Sequence, residues 1–284
     1  MRLRIIIILI GATVVGTVAA AFAAGGDSTP GNRNSVVAAF YPLAYAAEQI
    51  GGPRVHVTNL TPPGAEPHDL ELSPDDVATV KSAGTVLLMG HGFQPQLERA
   101  ARDSNARAIT LLDTPGLGRL GNDPHVWLDP LRYAVLVRTI AAALHGDPSP
   151  LVARLHALDR AYRAGLAHCH RRELVTGHEA FGYLARRYGL RQVAVEGLTP
   201  EAEPAPRELA HVVSTVRANG ATTIFTEPLA SPRIARTVAR ATGATVSPLD
   251  PLEGLTPREV DRGADYFSVM RANLTALEHG LGCR

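Results

Sequence analysis

The sequence predicts an α/β protein of two lobes, each a mostly parallel four-stranded sheet flanked by helices. One long backbone helix joins the lobes and leaves a cleft between them. Three observations predict this. From residue 36 onward, short apolar runs alternate with helix-like stretches, the pattern of parallel sheets covered by helices. The runs fall into two groups, residues 36–112 and 173–250. Between the groups, residues 149–172 read SPLVARLHALDRAYRAGLAHCHRR, with Leu151, Leu155, Leu158, Tyr162, Leu166 and Cys169 at steps of three and four. Such spacing makes one apolar stripe on a helix, and some twenty residues at about 1.5 Å each span roughly 30 Å, enough to bridge two lobes.

Taken in chain order, MRLR is a short basic start and Ile5 to Ala24 is apolar or small throughout. Residues 1–24 therefore read as an export signal, with an Ala-x-Ala cleavage site at Ala21–Ala23. The run is also long enough to cross a bilayer, so an uncleaved anchor is the alternative. No cysteine follows it, so the usual lipoprotein attachment is not expected. Residues 25–35, GGDSTPGNRNS, read as a flexible tether. The folded part is expected outside the cytoplasm, whether periplasmic, in the cell envelope or secreted.

The first lobe is assigned to residues 36–147. VVAAFY (36–41) is a strand, with Pro42 opening a helix and Gly51 ending it. VHVTNL (55–60) is the next strand. Ser73-Pro74-Asp75-Asp76 opens a helix with a serine cap, an early proline and acids at its positive end. TVLLMG (85–90) and AITLL (108–112) complete the group. The connecting helix is assigned to residues 148–172. The second lobe, 173–284, contributes ELVTGH (173–178), QVAVEGL (192–198), TTIFTE (222–227) and ATVSPLD (244–250), and a helix closes the chain.

Composition narrows the function. Charged residues make up 19% of the chain and hydrophobic ones 45%, so a core can form and wholesale disorder is excluded. The net charge is +1 with no basic run, which argues against nucleic acid as a partner. Cys169 and Cys283 are the two cysteines. In an oxidising compartment an even pair reads first as a disulfide, the alternative being two unrelated buried thiols.

Four familiar motifs fail. GLGRLG (116–121) fits the dinucleotide pattern, but Pro115 precedes it and Asn122-Asp123-Pro124 follows, so no helix opens there to hold pyrophosphate. GHEAFG begins like a zinc-protease helix, yet Gly182 stands where the second histidine would be. Gly-x-Ser-x-Gly and the phosphate loop are absent. Four stretches remain: PPGAEPHDLE, DPHVWLDP, VTGHEAFGYL and VSPLDPLEGL. They offer His68, His125, His178 and Asp250, each in a loop or at a strand end, where parallel-sheet proteins gather ligands. His125 is fixed between two Asp-Pro pairs. Asp129-Pro130 reads as the cap of a helix over 131–145, Asp123-Pro124 as a tight turn, and Trp127 as a wall beside the imidazole. A carboxylate near that ring would orient its second nitrogen.

At these stretches the chain resembles the extracytoplasmic solute-binding proteins of zinc and manganese ABC importers. The likeness runs from VVAAFYPL to MRANLTAL and includes EAEPAP (201–206) and TEPLASP (226–232). It implies two α/β lobes with the metal in the cleft. The implied ligands are His68 and His125 from the first lobe, with His178 and Asp250 from the second. Glu66 is the candidate accessory carboxylate, water being the alternative. Many zinc members carry a histidine-rich insertion before the DPHVW motif, which this chain replaces with TPGLGRLGN.

The expected function is capture of a divalent metal and its delivery to a membrane permease, by a monomer without enzymatic activity. Three imidazoles and one carboxylate suit Zn2+ at four-coordination, Mn2+ being the alternative cargo. Two other readings stay open. One is a metal-dependent hydrolase using the same cleft, with Glu66, Glu179 or Glu203 as general base. The other is a surface adhesin of the same fold.

Overall fold

A computed structural model describes residues 32–195, 197–198 and 205–284. The expected leader over 1–24 and most of the tether lie outside these, as do Glu203 and most of EAEPAP. The first lobe runs β1 (Asn32–Ala38), α1 (Tyr41–Gly51), β2 (His56–Asn59), α2 (Pro74–Ser82), β3 (Ala83–Leu88), α3 (Pro95–Arg102), β4 (Arg107–Thr110) and α4 (Pro130–Leu144). After α5 (Ser149–Gly165) come β5 (Glu173–Thr176), α6 (Gly182–Tyr188), β6 (Arg191–Ala194), α7 (Pro206–Ala218), β7 (Thr223–Thr226), α8 (Arg233–Thr242), β8 (Thr245–Pro248), α9 (Pro257–Asp261) and α10 (Tyr266–Leu281).

The strands form two four-stranded sheets of order β2-β1-β3-β4 and β6-β5-β7-β8. Every neighbouring pair is parallel; Val36 faces Val57 and Thr85 in the first sheet, and Val175 faces Val193 and Ile224 in the second. Parallel strands buried on both faces read as near-continuous apolar runs, and Val36, Val37, Val86 and Leu87 are fully buried. Local chemistry agrees with the fold. Ser73 and Asp76 form a reciprocal capping box at α2. The Asp129 carboxylate accepts from the N–H groups of Leu131 (3.0 Å) and Arg132 (3.3 Å) at the start of α4.

Two boundaries differ from expectation. β1 begins at Asn32, inside the expected tether, because Asn32 still pairs with Ala83 across an irregularity in the β1–β3 register. The connecting helix ends at Gly165 rather than running to 172. There α5 and α10 come so close that a Cβ on Gly165 would lie 2.1 Å from Glu278 Oε1. Arg172 then folds back, donating to the carbonyls of Leu166 and Ala167 at 3.0 Å each. Cys169 and Cys283 form a disulfide, tying the chain just past α5 to the end of α10.

One contiguous apolar core runs from Val36 and Leu87 through Val137 of α4 and Tyr162 of α5 to Tyr266 of α10, Leu184 and Phe225. A smaller core under α7 and α8 gathers Val212, Val216, Ile224 and Val238. Polar bolts cross the cleft as well. Trp127 Nε1 donates to the carbonyl of Pro251 at 2.7 Å, and Tyr266 donates its hydroxyl to the carbonyl of Trp127 at 2.7 Å. Arg187 of α6 pairs with Asp129 and, at 3.5 Å, with Asp159 of α5.

Candidate metal centre

Loops beyond the carboxyl ends of β2, β4, β5 and β8 meet in the cleft, the place where open parallel sheets gather ligands. After β2, a single 3-10 turn over Pro67–Asp69 carries His68, whose N–H donates to Glu66 Oε1 at 3.3 Å. After β4, Asp123 grips His125 twice: Oδ1 accepts from the backbone N–H and from ring Nδ1, each at 2.8 Å. A carboxylate can only accept, so Nδ1 carries the proton and Nε2 faces the cleft. Fully buried Trp127 closes one side, 5.2 Å between ring centroids.

His178, two residues past β5, is held the same way. Glu227 Oε1 accepts from its N–H at 3.0 Å and Oε2 from ring Nδ1. Its carbonyl accepts from Thr176 Oγ1 at 2.8 Å and Gln192 Nε2 at 3.0 Å. After β8 the chain makes a tight turn. Asp250 Oδ1 accepts from the N–H of Leu252 at 2.7 Å, and Leu252 adopts a left-handed φ of 55°. That reversal brings the next residue, Glu253, back into the cleft.

The result is one buried cluster. His68, His125, His178 and Glu253 each offer a ligand atom, all within 4.8 Å of one another, and no other such group exists among the described residues. Glu253 Oε1 lies 3.1 Å from His68 Nε2, 2.9 Å from His125 Nε2 and 3.4 Å from His178 Nε2. A tetrahedron with bonds of about 2.05 Å has edges of roughly 3.3 Å, so these separations suit zinc. The buried His178 Nε2 has no hydrogen-bond partner. An inward-facing orphan nitrogen is what a metal would satisfy.

Three of the four expected ligands are thus brought together, and the structure puts Glu253 where Asp250 was expected. Asp250 lies outside the cluster. Its backbone N–H and carbonyl are both held by the Asn273 amide, at 2.9 and 2.7 Å, and its Oδ2 has no partner. Burial, with Glu259 and Glu253 nearby, pushes its carboxyl up to about 8 although the Leu252 N–H opposes this. Glu66 lies beside Glu253, and burial together with that charge raises its carboxyl to about 8. Glu227, in the TEPLASP stretch, is a second functional residue that the sequence does not single out. Both missed glutamates follow a strand end by only a few residues, and that position was the available signal.

Protonation follows from the same contacts. Burial disfavours a charged His178, but its hydrogen bond to Glu227 and the nearby carboxylate charges of Glu253 and Glu227 outweigh this and raise the ring to about 10. For His125, too, burial is outweighed by Asp123 and Glu253, and the ring is raised. Burial alone would raise Glu253, yet the three imidazoles around its carboxylate, His125, His178 and His68, hold it well below the usual carboxylate range.

Comparison with known proteins agrees with this geometry. The zinc-binding lipoprotein AdcA of Streptococcus pneumoniae is 34% identical over 275 residues, covering 86% of this chain. This chain spans about half of AdcA's length (55%). The crystal structure of the Zn(II)-bound ZnuA-like domain of AdcA superposes with a TM-score of 0.74, covering 87% of this chain and 98% of that domain. The high-affinity zinc uptake system protein ZnuA of Bacillus subtilis is 31% identical over 296 residues, covering 91% of this chain and 93% of its own. The laminin-binding protein of Streptococcus agalactiae, a bifunctional protein with adhesin and metal transporting activity, superposes at a TM-score of 0.77 with 31% identity, covering 87% of this chain and 99% of that one. The family model described as zinc-uptake complex component A, periplasmic, matches residues 36–280. The chain belongs to the ZnuA family.

Proposed function

We propose that this chain captures a divalent transition metal outside the cytoplasm, zinc in preference to manganese, and hands it to the permease of an ABC importer. His68, His125, His178 and Glu253 are the proposed ligands, and the protein acts as an exported monomer. The observation that carries the reading is the inward-facing Nε2 of buried His178 without a partner, 3.4 Å from Glu253 Oε1. Three imidazoles and a carboxylate form the nitrogen-rich, borderline-soft set that zinc prefers. Four protein ligands close a tetrahedron, leaving no position for an activated water, so the reading is transport rather than hydrolysis. Glu179 is exposed and so a poor general base for chemistry in a buried site.

Zinc binding should release protons. The metal needs a neutral imidazole, and a ring raised to about 10 holds its proton throughout the neutral range. The sign follows: affinity rises with pH, by roughly tenfold per unit for each proton displaced. The test is zinc analysis of protein purified without chelators, then calorimetric titration in buffers of different ionisation enthalpy between pH 6 and 8. At least one proton released per zinc is expected; affinity independent of pH would contradict the ligand set.

Glu227→Ala is expected to weaken zinc binding by roughly 10- to 100-fold, because a ligating imidazole that loses its outer carboxylate loses orientation and basicity. Chelator competition measures this. An unchanged affinity would remove Glu227 from the site.

A further inference from the structure

We infer that His91, paired with Asp113, is a staging ligand: the first protein group that incoming zinc meets on its way to His68. The inference rests on the cargo reading above. A cavity of about 250 Å³ is walled by both histidines together with Phe93, Asn122, Pro124 and Leu198. Exposure rises from His68 to His91 along this wall and on to Asp113, which pairs with His91 outside it. The His68 side chain is 5% exposed, His91 36% and Asp113 63%.

The backbone that presents His91 is unusual. Gly90, His91 and Gly92 take successive φ values of 83°, 59° and 84°. The left-handed region is disfavoured for any residue with a Cβ, and a strained side chain held by its surroundings is a reason to look for function. The surroundings do hold it. Gly92 N–H donates to Glu98 Oε1 at 2.8 Å, and Phe93 N–H to the carbonyl of Gly90 at 3.3 Å. The same loop lays the Phe93 ring against His68, 4.7 Å between centroids. One short segment thus touches the inner ligand with Phe93 and offers an imidazole outside with His91.

His91 Nε2 lies 2.7 Å from Asp113 Oδ1, so an imidazole and a carboxylate already stand side by side for a divalent cation. Two ligands hold an ion weakly, which suits a station that must let go. Arg119 reinforces this: its guanidinium lies 3.3 Å from both ring nitrogens while also donating to the carbonyl of Gly121 at 3.2 Å. A fixed positive charge beside the pair opposes lasting occupancy and favours passage inward to the anionic Glu253.

The test uses the full chain and zinc chloride, with rates read by stopped-flow competition against a chromophoric chelator. A group that touches the ion only in transit stabilises the barrier for arrival and departure alike. In His91→Ala and Asp113→Asn, association and dissociation rate constants should therefore both fall, by roughly tenfold, the low end of what local enrichment of an ion at a cleft supplies. The Kd should stay unchanged. His91→Asn tolerates the left-handed backbone while removing the imidazole, and the same fall is expected. Unchanged rates in all three variants would overturn the staging role. So would a slow Ala variant beside an unaffected Asn variant, or a raised Kd caused by faster dissociation. Failure of the unaltered protein to take up zinc would overturn the cargo reading and the staging role with it.

Discussion

Glu253→Ala is expected to lower zinc affinity by more than roughly a hundredfold, beyond the loss that removing an outer partner causes, whereas Asp250→Ala should lower it by less than about tenfold. Glu253 Oε1 is within 3.4 Å of all three imidazole Nε2 atoms, so its loss removes the only carboxylate of the cluster and leaves three converging Nε2 atoms with no carboxylate among them. Asp250 acts one step away, through the Leu252 N–H that its Oδ1 accepts. Without that bond the loop is still pinned by Trp127 Nε1 on the carbonyl of Pro251 and by Asn273 on the backbone of residue 250. Removing a buried carboxyl that its surroundings push to about 8 also relieves an unfavourable neighbour of Glu253. Chelator competition on both variants at one pH, with melting curves to confirm folding, decides the matter. The reverse order of effects would make Asp250 the fourth ligand.

The second large effect is on stability. Cys169 and Cys283 are separated by 114 residues, and closing a loop of that order restricts the unfolded chain enough to stabilise the fold by roughly 4–5 kcal/mol. The Cys169→Ser, Cys283→Ser double variant is therefore expected to melt on the order of 10 °C lower, given a shift of about 2–4 °C per kcal/mol for a chain of this size. Scanning calorimetry of the zinc-free protein is the measurement, since bound zinc would add its own stabilisation. A shift of only a degree or two would mean that the contacts of Tyr162 and Glu278 along α5 and α10 suffice to hold the two helices together.

Much of the fold was legible because parallel strands announce themselves. Runs such as TVLLMG place apolar residues on both faces, so each strand could be located, most ends falling within a residue or two. The exceptions are β1, three or four residues off at either end, and β6, which stops at Ala194 rather than 198. The start of β1 was missed because Asn32 to Ser35 are polar; Asn32 is paired by Ala83 and Ser35 by His56 across the sheet, neighbours no local pattern contains. The three histidines stood out for a similar reason, each following a strand within a stretch punctuated by proline or glycine. The fourth ligand did not. Asp250 and Glu253 are three residues apart in one loop, and only its path decides which carboxylate faces the cleft. That path depends on the Asp250–Leu252 hydrogen bond and the left-handed Leu252. The hint was available: Asp129-Pro130 was recognised as a carboxylate spent on its own backbone, and Asp250-Pro251 is the same pairing.

The single apolar core described above has a thermodynamic consequence. Tyr162 of α5, Tyr266 of α10, Leu87 of the first sheet and Phe225 of the second belong to one packed body, so the first sheet has no private interior to melt into. The two halves should lose structure together, as one cooperative unit rather than as two beads on a helix. The exception is the small separate core of Val212, Val216 and Val238 beneath α7 and α8. Amide protons there should exchange through sub-global openings of lower free energy than those of β1 and β3, which places the most yielding part of the molecule at the outer flank of the second lobe and leaves the shared core as its last structure to open.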